Sequence, residues 1–189
     1  MQVRLSETGH RQESSINRRN HKQDRYCFSK GDYCLKILTY DAKIQEATRA
    51  LTDWGAFLTT SVDGITNTMV IGWGSIGYAW GRPIFTVLVR DSRYTYELME
   101  KASEFTVSIP LTDHMKRELQ FCGTKSGRDL DKFAHCNLRI EAGHGVDVPI
   151  IADCQLHYEC RIVGKLRLEP ENLHESCDRW YPKEDYHTF

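Results

Sequence analysis

The sequence lacks the marks of several large protein classes. No apolar run approaches the roughly 20 residues of a membrane-spanning helix, so no span is expected. Charge of one sign is not in excess. Lys plus Arg is 25 and Asp plus Glu is 26, a net charge of -1, which argues against a general polyanion binder. The cysteines number seven, an odd count with no Cys-x-x-Cys, so neither a disulfide framework nor a paired zinc motif is expected. Met1-Gln2-Val3-Arg4 leads into no apolar core of the secretory kind. Reduced thiols in a cytoplasmic protein are the expectation. There is no Gly-x-Ser-x-Gly elbow, no Walker spacing and no internal repeat.

What is present suits one ordinary domain. The chain has 189 residues, 40% hydrophobic and 27% charged, enough apolar content for a packed core. Residues 1–25 are mostly polar and include Arg18-Arg19-Asn20-His21-Lys22. They read as a mobile, mildly basic tail, the first half of an N-terminal extension spanning 1–40. A nucleic-acid arm or a transit peptide is the sharper alternative, and Glu7 and Glu13 oppose the latter.

The domain is expected over 41–189. Asp41 can cap a helix to Leu51, closed by Trp54-Gly55. Residues 56–62 read as a strand, Asp63-Gly64 as a hairpin turn and 66–73 as the returning strand. Pro83 opens a strand over 84–89, Ser92 starts a helix to Lys101, and 105–109 is a strand stopped by Pro110. Thr112 or Asp113 can cap a helix ending near Gly123. The polar loop Gly123-Thr124-Lys125-Ser126-Gly127-Arg128 follows, then a short helix with Leu130 and Phe133 inward. Strand-type alternation runs from Ile150 to Leu168, interrupted at Gly164. Several strands with a few short helices predict a mainly β barrel or sandwich.

Four constellations invite chemistry. Cys154, His157 and Cys160 resemble a metal set, but on a continuous strand the cysteines face one way and the histidine the other. Core cysteines and a surface histidine are expected, and no metal. His135-Cys136 is assigned to structure. For an anion, Ser92-Arg93-Tyr94-Thr95 combines a helix start, a guanidinium and two hydroxyls; a capped helix with a solvated arginine explains it equally well. In Asn67-Thr68-Met69-Val70-Ile71-Gly72-Trp73-Gly74, alternation puts Asn67, Met69, Ile71 and Trp73 on one face. That face is either core or the bed of a heteroaromatic ring. For Asn67 and Trp73 to reach one ring, the strand must bend, and Gly72 is placed to allow it.

These segments, with Arg90-Asp91-Ser92-Arg93-Tyr94-Thr95 and Cys122-Gly123-Thr124-Lys125-Ser126-Gly127-Arg128-Asp129-Leu130-Asp131-Lys132-Phe133, resemble the flavin reductase-like family, in the branch that includes flavoredoxin. The resemblance is clearest over Trp54 to Phe133. It implies an FMN-binding split β-barrel of Greek-key type, commonly a homodimer. It implies a cofactor site drawn from Asn67, Met69, Ile71, Trp73, Arg90, Ser92, Arg93, Tyr94, Thr95, Ser126 and Lys132. Asn67 and Trp73 would approach the flavin ring, Ser92, Arg93 and Thr95 its phosphate and ribityl end, and Ser126 and Lys132 would close the site. The implied activity is transfer of hydride or electrons through flavin, from NAD(P)H or another donor to a small molecule or a redox protein. The alternatives are a non-catalytic flavin-binding or electron-carrier protein, or an inactive truncated fragment. Neither nucleic acid nor membrane is an expected partner. The pattern departs from the family at Val70, where Thr is common, at Asp91, where Pro is expected, and after Phe189, where a further strand with a Gly-Glu pair is expected.

Overall fold

The computed structural model describes residues 1–8, 33–181 and 187–188. In chain order the elements are β1 (Gln2–Thr8), β2 (Tyr33–Leu38), α1 (Ile44–Asp53), β3 (Ala56–Val62), β4 (Ile65–Ile71), β5 (Gly74–Ala79), β6 (Arg82–Val87), α2 (Tyr94–Lys101) and β7 (Glu104–Ile109). They continue with α3 (Lys116–Thr124), α4 (Lys132–His135), β8 (Ile140–Glu141), β9 (Ile150–Ile151), β10 (Leu156–Arg161), β11 (Leu166–Arg167) and β12 (His187–Thr188). The chain is mainly β, as expected.

A six-stranded sheet in the order β2-β1-β10-β7-β3-β4 organises the chain, and β5 and β6 form a separate hairpin. All pairings of the large sheet are antiparallel. The β3–β4 hairpin turns through Asp63 and Gly64, at φ 51° and 80°, the left-handed pair that matches the twist of flanking strands. Its register runs from Val62↔Ile65 to Ala56↔Ile71.

The sheet is covered on both faces. Leu58, Val107, Leu156 and Tyr158 pack with Ala47 of α1 and Met99 of α2. On the other face Phe57 packs with Leu119 and Cys122 of α3, Ile151 and Cys154. Strands buried on both faces carry polar side chains, and several of these pair internally. Thr59 Oγ1 donates to Thr68 Oγ1 at 3.1 Å, and Thr106 Oγ1 donates to the Pro149 carbonyl at 2.7 Å.

Two-sided cover corrects two expectations. His157 is not a surface residue; it is 0% exposed, between Ser108 and Ser6, each at 3.2 Å. The face it shares with Ser108 lies under the segment containing Ile151, whose N–H donates to Ser108 Oγ. Cys154 and Cys160 do not share a face either, because a turn at 152–155 breaks the strand. Cys154 enters the core under α3, whereas Cys160 enters the core on the side of α1 and α2.

The N-terminal expectation is also corrected. Gln2–Thr8 is a strand inside the large sheet, paired with β10 and β2. Arg4 is buried and lies 2.6 Å from the Glu159 carboxylate. Long-range pairing supplies the partners that this polar segment cannot find locally. The basic run at 18–22 lies outside the described residues. Helix starts differ too. Neither Asp41 nor Thr112 caps a helix through its side chain; α1 begins after Lys43 and α3 after Met115.

Candidate functional site

Among the described residues strand β4 is the edge of the large sheet, and its outer backbone groups have no neighbouring strand there. Three segments close over that edge. α2 arrives from one face, α3 from the other, and 125–131 with α4 bridges them. The Lys132 ammonium takes the place of a strand neighbour. It donates to the Thr68 carbonyl of β4 and to the Cys122 carbonyl of α3, both at 2.9 Å. Asp131 caps the short helix that carries it, accepting from the Phe133 and Ala134 N–H groups.

Asn67 ties the second side. Its amide donates to Thr95 Oγ1 of α2 at 2.8 Å. Gly127 packs so closely that an added Cβ would overlap Asn67 Oδ1 and lie 3.2 Å from the Tyr94 ring. Only glycine fits there while Asn67 holds this position. Arg128 spans the mouth, ion-paired with Glu97 and set 5.2 Å from the centre of the Tyr94 ring.

The result is a cleft of about 100 Å³ lined by Asn67, Met69, Ser92, Arg93, Tyr94, Thr95, Ser126, Lys132 and the loop between Cys122 and Arg128. Four of its lining residues are cationic, namely Arg93, Lys125, Arg128 and Lys132, and none is acidic. Only Arg128 has a carboxylate partner among the described residues. Lys132 is 4% exposed. Burial, with the charge of Arg93 acting in the same sense, holds its ammonium below the usual lysine range. An ammonium has three N–H donors, and protein carbonyls take two. The donor set therefore fits an anionic ligand, and a phosphate in particular. Arg93 stands at the N-cap of α2, where free N–H groups add to the same potential.

Three predicted residues lie elsewhere. Ile71 is core, 3% exposed among Leu58 and Val87. The strand ends at Ile71, so Gly72 and Trp73 form the break for which Gly72 was singled out. Beyond it Trp73 is 41% exposed and meets Trp180 and Tyr181 edge-on, at 5.4 and 6.1 Å between ring centres. Arg90 joins that group, donating to the Trp180 carbonyl at 2.5 Å and lying over Tyr181. Trp180 and Tyr181 had no signal in the sequence, since nothing local relates them to Trp73. Lys125 and Arg128 were visible only as an anion loop of weak spacing. A larger hollow of about 410 Å³, between Trp80, Phe85, Phe105 and Leu166, contains none of the predicted residues.

Comparison with known proteins defines the class first. The fold is that of the FMN-binding split barrels. An FMN-binding protein from Thermus thermophilus, solved with 1-cyclohex-2-enone, superposes with a TM-score of 0.56 at 23% identity, covering 71% of this chain and 64% of that one. Flavoredoxin from Methanosarcina acetivorans gives 0.55 at 32% identity, covering 60% and 59%. A protein of Archaeoglobus fulgidus is 31% identical over 107 residues, 57% of this chain and 59% of its own length. The chain therefore spans about 59% of the length of these last two relatives. The flavin reductase like domain matches residues 54–174. The chain belongs to that family, in its flavoredoxin-like branch.

Proposed function

We propose that this protein binds FMN without a covalent bond and works as a flavin-dependent oxidoreductase. One observation carries the reading: a cleft with four cationic lining residues and no acid, walled by a buried ammonium that has a donor to spare. The phosphate lies against Arg93, Ser92 and the N–H groups at the start of α2, with Lys132 and Lys125 completing its charge balance. When bound, the flavin supplies the two-electron chemistry. The protein orients the cofactor, excludes water from its phosphate end and holds positive charge beside it.

About 100 Å³ accepts a phosphate and not a three-ring flavin. The ring therefore rests outside the cleft, on the Met69 side of β4. A second copy of the chain completes the cover in our reading, so a homodimer is expected. NAD(P)H is the donor we propose, with a small molecule or a redox protein as acceptor.

Titration of the purified chain with FMN, followed by the change in its visible absorption, tests the binding. Saturation at one FMN per chain is expected. Absence of any spectral change or binding at high FMN would overturn the proposal. Oxidation of NAD(P)H by the loaded protein tests the reductase step; FMN binding without it leaves an electron carrier.

A further inference from the structure

Two thiols lie behind the cationic cleft and have no part in the reading above. Cys122 is buried in the last turn of α3 and lines the cleft. Cys136, half-buried, follows α4. Their sulfurs are 4.0 Å apart. A disulfide needs about 2.05 Å, so the sulfurs must approach by about 2 Å to join. The backbone is already drawn together next door. The rings of Phe121 and His135 stack at 4.0 Å with 7° between planes, joining the residues that precede each cysteine.

The pair also brackets Lys132. The ammonium donates to the Cys122 carbonyl, and the Cys136 N–H donates to the Lys132 carbonyl at 3.0 Å. Drawing the sulfurs together therefore moves two of the contacts that hold this lysine. The roles of the thiols differ. Burial raises both above the usual thiol range, Cys122 to about 12. The hydrogen bond between them favours ionisation of Cys136 and disfavours that of Cys122. Cys136 is the less buried of the two and so the one a dissolved disulfide can reach, and its thiolate is the nucleophilic form.

We propose that Cys122 and Cys136 form a redox-active dithiol site that a low-molecular-weight disulfide oxidises to an internal disulfide, loosening the cleft's hold on its anion. The Cys136 thiolate attacks one sulfur of the small disulfide, breaks its S–S bond and expels one thiol. Cys122 then gives up its proton, attacks the Cys136 sulfur of the mixed disulfide and expels the second thiol. One small disulfide is reduced to two thiols, and the protein dithiol is oxidised by two electrons. The effect on the cleft rests on the anion-binding reading; the thiol chemistry does not.

The test uses the full chain without flavin, equilibrated with oxidised and reduced glutathione, alkylated and digested with trypsin. Cleavage after Lys and Arg leaves Cys122 in Glu118–Lys125 and Cys136 in Phe133–Arg139. The expected product joins these two peptides and reverts with excess reduced glutathione. Cys122→Ser should instead accumulate the glutathione adduct on Cys136, because the resolving thiol is gone. Cys136→Ser should leave Cys122 unmodified. Circular dichroism shows whether each variant is folded. In the wild-type chain, two unreacted thiols, or a Cys136 adduct that Cys122 never displaces, would overturn the site. FMN titration of both redox forms reads the second half, with affinity about tenfold lower in the oxidised chain, the scale of one charge-assisted bond. Equal affinities would overturn the coupling. Failure of FMN to bind either form, with the cross-link formed, would overturn the coupling and the function reading together and leave the dithiol site standing.

Discussion

Arg93→Ala separates a phosphate site from a merely basic surface. The guanidinium is exposed at the N-cap of α2 and has no carboxylate partner among the described residues. Its removal breaks no ion pair there and orphans no buried group, so stability should change by less than about 0.5 kcal/mol. The loss in binding is set by the ligand. A hydrogen bond to a charged group contributes about 1.5–3 kcal/mol, which is roughly 10- to 150-fold in affinity. Because Arg93 faces solvent, screening places the effect at the lower end, about tenfold. Riboflavin has the same ring and ribityl chain without the phosphate, so its affinity should be unchanged. The assay is paired fluorescence titration of wild type and variant with FMN and with riboflavin, repeated at raised salt. The wild-type preference for FMN should shrink as salt rises, and the variant should show less of that dependence. Equal losses for both ligands would place Arg93 at the ring. Unchanged FMN affinity would remove it from the site.

Further outcomes follow from other contacts. Lys132→Met should weaken FMN more than riboflavin. In wild type, FMN affinity should fall with rising pH below the usual lysine range, because burial favours the neutral amine; a titration series that keeps this fall in Lys132→Met would refute the assignment. Gly127→Ala should lower stability by about 1–3 kcal/mol and weaken FMN, since the new methyl displaces Asn67 or Tyr94. Gly77→Ala, with nothing within 4 Å, is the control, and equal melting shifts would count against the packing argument. His157 is held neutral by burial, with its pKa lowered to about 3. Its unfolded value is near 6.5, so between these values the unfolded chain binds the extra proton. Its contribution to stability is complete above about pH 6.5 and is lost as pH falls toward 3, by up to about 1.4 kcal/mol per pH unit. Denaturant midpoints measured from pH 7 to 4 should fall less steeply in His157→Gln than in wild type; parallel curves would refute it.

Much of this was legible in the order of residues alone. Asp63-Gly64 requires left-handed backbone that few other pairs adopt, so the β3–β4 hairpin and its register were visible locally. Ser92-Arg93-Tyr94-Thr95 announced a helix start with an anion donor, and the α2 N-cap stands at Arg93. These are properties of neighbours in sequence, where turn chemistry and alternation act. Tertiary structure decided the rest. Whether a strand face is exposed depends on what packs over it, so alternation separated His157 from Cys160 but could not show that both are buried. β1 has few apolar residues and pairs only because β10 and β2 present matching edges, with Glu159 placed to meet Arg4. The same holds at the site. Asn67, Gly127 and Thr95 are far apart in sequence and meet because β4 is a sheet edge that α2 and the 125–131 loop close. Trp73 was grouped with Asn67 by period, yet the chain breaks after Ile71 and sends it to Trp180 and Tyr181. Sequence could name the charges of the cleft; only the packing of three segments on one strand edge leaves its walls without an acidic residue, with Arg128 alone of its cations paired to a carboxylate among the described residues.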